Sequence, residues 1–184
     1  MKAQEIQRAA AKQDAARVYN AGLNLLARRE HSSKELKQKL GRRFADALVD
    51  EACAELEHNG LLSDERFTEA VIHSRSAKGY GPRHIAQELA QKGVSKELIK
   101  EFLDERDAHW VGHARDAALK KLRTTSRLAE ALRDLQDDAA GAEEVREHQQ
   151  QRTLARQKLS AFLARRGFSS EIVRAVLADE LSLG

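Results

Sequence analysis

His109 and His113 flank Trp110 in "DAHWVGHARD", and on one helix face that spacing would bring both rings to a zinc ion. Neither a second such pair nor a carboxylate at a set distance accompanies them, so no metal is expected and Trp110 reads as a core anchor. A second candidate is "AKGYGPRHIAQELAQKG", residues 77–93, where glycines sit beside Lys78, Arg83 and the chain's single proline. A phosphate-cradling loop would need a strand before it and a Gly-Lys-Ser/Thr ending, and both are missing. Asp64 and Glu65 follow Ser63, where acids complement a helix dipole. Cys53, the one cysteine, falls on an apolar face without an activating base and reads as an inert buried thiol. No serine-centred elbow, dinucleotide fingerprint or paired-carboxylate pocket is found, so a non-enzyme without cofactor is expected.

The remaining chemistry is cationic. Arg28, Arg29, Lys34, Lys37, Lys39, Arg42 and Arg43 form one cluster, Arg75, Lys78, Arg83 and Lys92 a second, and Arg156, Lys158, Arg165 and Arg166 a third. Such clusters meet acidic protein surface or nucleic-acid phosphates, or they solvate helix ends and favour the C-terminal dipole. Tyr80, between two glycines, is either an interface anchor or a ring packed over its own helix corner. No aromatic platform interleaves the basic groups, so any DNA contact should be unselective and salt-sensitive.

The elements that must carry these residues are helical. The chain has 184 residues, 33% charged and 4% aromatic, with one proline and a formal net charge of only +3, a balance that favours an all-α protein with local rather than global charge. No stretch approaches a membrane span or a signal peptide, a monomer is expected, and the single cysteine fits a reducing, cytoplasmic setting.

Helix boundaries recur. "ELAQKGVSKELIKEFLDE" (88–105) aligns with "FLARRGFSSEIVRAVLAD" (162–179). Gly93 and Gly167 stand where a helix ends in a left-handed residue, Ser95 and Ser169 cap the next helix, and Val94 and Phe168 are placed to staple onto Ile99 and Val173. A fainter copy, "KLGRRFADALVDEACAEL" (39–56), sets Leu40, Val49 and Cys53 at the places of Leu89, Leu98 and Phe102, with Phe44 at the place of the turn glycine. Ser32 and Glu35 form a capping box ahead of it. Gly79 and Gly81 end one helix and Pro82 opens the next, so the 77–93 stretch is a helix-helix corner. With a helix upstream of each copy, the reading is a lead-in over 1–17, three-helix repeats over 18–59 and 60–106, and a third over 107–184 carrying a helical insertion at about 124–150. Asp107 marks one boundary weakly, and Leu128, Ala131, Leu132 and Leu135 predict an amphipathic helix within the insertion.

With "LLARREHSSKEL" (25–36), "GLLSDERF" (60–67), "RSAKGYGPRHIAQELAQKG" (75–93) and "RGF" (166–168), the chain resembles the RecX family, bacterial regulators of the RecA recombinase, over about 18–122 and 152–180. It departs in having Ser63 before Asp64, Thr68 where alanine is usual, and a long segment between Arg123 and Lys158. The resemblance implies an elongated, curved, solenoid-like stack of the three repeats. Such a body would lie in the groove of the RecA–DNA filament, inhibiting ATPase, strand exchange and coprotease activity, and so modulating homologous recombination, DNA repair and the SOS response. Two other readings stay open: a weak, non-specific DNA-binding protein competing for single strands, and a helical-repeat scaffold for another partner.

Overall fold

A computed structural model describes residues 2–104, 108–132 and 142–178, with the backbone alone at 2, 3 and 5–11. All regular structure among them is helical: α1 (Lys2–Leu26), α2 (Ser33–Leu40), α3 (Asp46–His58), α4 (Asp64–Ala77), α5 (Pro82–Gln91), α6 (Lys96–Phe102), α7 (His109–Arg123), α8 (Ser126–Leu132), α9 (Ala142–Arg165) and α10 (Ser170–Ala178). Contacts group them into two compact units. One comprises 1–71 and 88–102, the other 72–87 and 103–184, so the division falls inside α4 and α5.

In the first unit α1 packs chiefly against α3, and α2 joins both. The lead-in and the first helix of the first repeat are thus one continuous α1. Val18, Leu36, Leu40, Val49, Ala52, Cys53, Leu56 and Leu62 form its core. Gly22 sets the α1–α3 approach, since a Cβ there would stand 2.7 Å from the Leu56 side chain. α2 begins where the sequence predicts: Ser32 is extended (φ −73°, ψ 156°) and its hydroxyl accepts from the Glu35 amide at 3.1 Å. The acid of the capping box behaves differently from the expectation, because its carboxylate turns to Arg29 and Lys92. Asp64 satisfies a further free amide of α2 by accepting from Ser33 N at 2.8 Å, as well as standing in the first turn of α4. Thr68 is fully buried, and its hydroxyl donates to the Asp64 carbonyl at 2.7 Å, so a hydroxyl is accommodated where alanine is usual.

In the second unit α10 packs on α7 and α9, and α8 on α9. Trp110 is the anchor the sequence predicts, buried with its indole N–H donating to the Asp104 carbonyl at 2.9 Å. Burial of a side chain of that size contributes about 3 kcal/mol. The second half of the inserted segment and the second helix of the third repeat are one continuous α9. Its first buried residue is Ala155, and Leu154 is 54% exposed. Leu128 of α8 is buried, whereas Leu135 and Asp107 lie outside the described residues.

Among the described residues four glycines have positive φ: Gly60, Gly79, Gly93 and Gly167. At each, the glycine amide bonds back three residues and the following amide five, as in Val94 N to Leu89 O (3.1 Å) and Phe168 N to Leu163 O (3.2 Å). That pair of bonds is the Schellman closure, which demands the left-handed residue. Ser95 and Ser169 then accept from Leu98 N (3.2 Å) and Ile172 N (3.3 Å), making the two turns equivalent bond for bond.

The first repeat corrects the expected register. α3 is preceded by Ala45 as its capping residue, so Phe44 holds the place of Val94 and Phe168, and the turn glycine has been deleted rather than replaced. Burial agrees, since Val49 and Cys53 match the buried Ile99 and Leu103, not Leu98 and Phe102. No described residue from 41 to 45 has positive φ; Gly41 sits at φ −62°.

Candidate partner-binding clefts

The turns at Gly93 and Gly167 each rest on the start of the second helix of the preceding repeat. In the first unit the Ser32 hydroxyl donates to the Lys92 carbonyl at 2.6 Å, and a Cβ on Gly93 would strike the Lys34 side chain. Glu35 lies beneath, 8% exposed, held by Arg29 (2.8 and 3.0 Å) and Lys92 (3.2 Å), with Lys39 at 3.9 Å. The bidentate Arg29 bond, followed by Lys92, holds this carboxyl at about 2, against burial acting the other way. Beside it the buried His31 has Nδ1 3.0 Å from the Arg29 carbonyl and Nε2 2.9 Å from Lys39 Nζ. An ammonium only donates, so Nε2 accepts and Nδ1 carries the hydrogen. Burial pushes the His31 pKa down.

In the second unit the same docking uses backbone. Gly81 N donates to the Arg166 carbonyl at 2.7 Å and Arg83 N to the Gly167 carbonyl at 3.1 Å. Gly81 is the residue before α5 rather than the end of α4, and a Cβ on it would lie 2.6 Å from the Gly167 carbonyl carbon. Pro82 opens α5, where its missing N–H removes nothing. The Tyr80 ring stacks on His84 (4.3 Å, 15°), with the Arg166 guanidinium over Tyr80 at 4.6 Å and over Phe162 at 5.2 Å, while Arg166 Nη1 donates to the Lys78 carbonyl at 2.9 Å. The 77–93 stretch is therefore a corner gripped by the "RRGF" turn.

These contacts sort the candidate binding residues. Arg29, Lys92, Tyr80 and Arg166 have partners within the fold, and Lys37 pairs with Asp50 at 2.7 Å. Arg75 is half-buried at the end of α4, and Lys78 is exposed. Arg28, Arg42 and Arg43 instead line a cleft of about 460 Å³ over Leu25, Leu40 and Phe44. Arg83, Arg165 and Arg174 line another of about 510 Å³ beside His84. Lys121, Arg127, Lys158 and Arg165 rim a third of about 580 Å³, floored by Leu128 and Phe162. No carboxylate among the described residues lines any of the three. Arg174 stands apart from other cations along the chain and carries no sequence signal. Lys121 and Arg127 belong to the basic run Lys120, Lys121, Arg123 and Arg127 across the α7–α8 junction, which was the available signal.

A carboxylate-free cleft with an apolar floor concentrates positive potential where water is partly excluded. It suits an anionic surface, and no paired carboxylates among the described residues line it. The His109 and His113 rings meet edge to face at 5.5 Å, and among the described residues no cluster of three or more potential metal ligands occurs. Cys53 is fully buried and its thiol is pushed up by burial, which leaves it unreactive. No described helix is long and apolar enough to cross a membrane.

Family comparison agrees with this architecture. Three family models match: RecX, first three-helix domain, at residues 19–56; second, at 63–103; and third, at 146–177. A protein named Regulatory protein RecX from Halorhodospira halophila is 38% identical over 162 residues, covering 88% of this chain and 86% of its own. One of the same name from Pseudomonas entomophila is 34% identical, covering 88% and 90%. Among solved structures, RecX from Lactobacillus salivarius shares the fold at a TM-score of 0.67 and 19% identity, covering 92% of this chain and 97% of that one. With its repeats, its docked turns and these relatives taken together, the chain belongs to the RecX family of regulatory proteins.

Proposed function

We propose that this chain is a negative regulator of RecA that binds the RecA–DNA filament, lying in its groove across neighbouring subunits and lowering ATP hydrolysis, strand exchange and coprotease activity. Membership in a family of regulatory proteins carries the reading. The clefts support it, since a binding protein needs complementary surface and these offer cations without competing acids. Regulation requires differential affinity: the chain must bind the inactive or disassembling filament better than the extending one. Arg28, Arg42, Arg43 and Arg165 carry the contact, with Arg83 beside Arg165 in the second cleft, whereas Arg29, Lys92, Tyr80 and Arg166 hold the surface in shape.

The same clefts favour a second reading, in which the chain binds phosphates of bare single strands and competes with the recombinase for DNA. The test is DNA-dependent ATP hydrolysis on preformed filaments, titrated with this protein beside the same DNA alone. Inhibition well below the concentration that binds bare DNA supports filament recognition. Inhibition only where bare DNA is saturated, with a steep salt dependence, supports competition, and no inhibition rejects both.

A further inference from the structure

The second and third repeats share one left-handed glycine turn, and each shows what that turn rests on. Lys92 precedes Gly93, and its ammonium binds Glu35 in the first turn of α2 while its carbonyl accepts from Ser32. Arg166 precedes Gly167, and its carbonyl accepts from Gly81 just before α5. The equivalent residue in the first repeat is Arg43, and no repeat stands ahead of it among the described residues. Arg42 and Arg43 are exposed, and Arg28, Arg42 and Arg43 pair with no carboxylate among the described residues. Beside them Leu25 and Phe44 floor the 460 Å³ cleft.

We infer that this cleft docks an acidic helical segment of a partner protein, its carboxylates on Arg42, Arg43 and Arg28 and one apolar side chain over Leu25 and Phe44. Three features favour that occupant. The matching cation of the second repeat already binds a carboxylate in the first turn of a helix. Deletion of the turn glycine forgoes a close backbone approach, leaving the guanidinium groups to make the contact. The apolar floor gives a purchase that a phosphate backbone does not use. A second copy does not fit through its third repeat, because the residue matching Gly81 is Ala155, inside the continuous α9.

The inference rests on the reading that the chain has a protein partner, but its test does not need the recombinase. The probe is a blocked alanine-rich helical peptide of about sixteen residues with glutamates at i, i+3, i+4 and i+7 and one leucine on the same face, titrated to about 5 mM into the isotopically labelled full chain. Amide shifts should saturate and concentrate at residues 21–28 and 39–44. The glutamine counterpart of the peptide, and the Arg42→Glu/Arg43→Glu variant with its helical content intact, should each bind at least about tenfold more weakly. Absence of saturable shifts, or shifts centred elsewhere, overturns the assignment. So does an oligothymidylate that moves the same amides at lower concentration, which would make the cleft a phosphate site. If the peptide fails while the chain still inhibits filament ATPase, the surface is wrong and the regulator reading stands. Peptide binding without inhibition means the reverse.

Discussion

The turns at Gly93 and Gly167 share a backbone and rest on the same part of a neighbouring repeat, but different forces hold them. The first stands on a buried carboxylate shared by Arg29 and Lys92, with the Lys34 side chain rather than backbone at the contact. The second stands on main-chain hydrogen bonds and a stack of Arg166, Tyr80 and His84, with backbone against backbone. One repeat geometry therefore tolerates exchange of its chemistry, provided the turn stays free of a side chain. The first joint should answer to pH and salt and the second to shape.

Substitution at the two glycines breaks the comparison most directly. Gly167→Ala should destabilise by about 3–5 kcal/mol, because a left-handed residue gains a Cβ (φ 91°) that enters the backbone of His84. Gly93→Ala pays the same conformational strain (φ 88°) and strikes the Lys34 side chain, whose Cδ can swing away but whose Cβ, 2.6 Å off, is fixed to α2, so a loss of about 2–3 kcal/mol is expected. Denaturant unfolding of both variants checks the order, and equal losses would reject the distinction.

Glu35→Gln should cost about 2 kcal/mol in the same assay, since it leaves Arg29 and Lys92 without a charge partner. The pH dependence sharpens this. Glu35 is depressed from 4.5 to about 2, so its stabilisation is present above pH 4.5 and is lost as pH falls towards 2. His31 is depressed below its ordinary 6.5, so the unfolded chain binds its proton first and stability begins to fall below about pH 6.5. Unfolding followed from pH 7 to pH 2 should show both losses in wild type, and Glu35→Gln should lack the lower one.

Arg166→Ala should cost about 1 kcal/mol through the lost stack and its bond to Lys78, with little change in salt dependence. The smallest effect belongs to Arg42→Ala/Arg43→Ala, within about 0.5 kcal/mol of wild type, because both residues are exposed. If that pair proves strongly destabilising, the first repeat's turn is a structural joint after all.

Much of the fold is legible in the sequence. The capping serines, the turn glycines, Pro82 and the buried faces are local, and each is fixed by the backbone groups of a few neighbouring residues. The deleted glycine of the first repeat was misread because a one-residue slip leaves leucine and valine patterns almost unchanged. Burial of Val49 and Cys53 decided it. Within the basic clusters, sequence could not separate Arg29 and Lys92 from Arg42 and Arg43. Arg29 and Lys92 both meet Glu35, which lies 57 residues from Lys92 and, across the α1–α2 turn, six from Arg29, neither of them a spacing within one helix.

The sequence by itself determined an all-helical chain and the recurring helix-turn-helix unit, because capping and periodicity act over a turn or two of helix. Tertiary structure alone decided which cations are neutralised, that the 77–93 corner is gripped by the Gly167 turn, and that clefts arise where carboxylates are absent. Ion pairing and close backbone approach depend on distances between segments that no local pattern encodes.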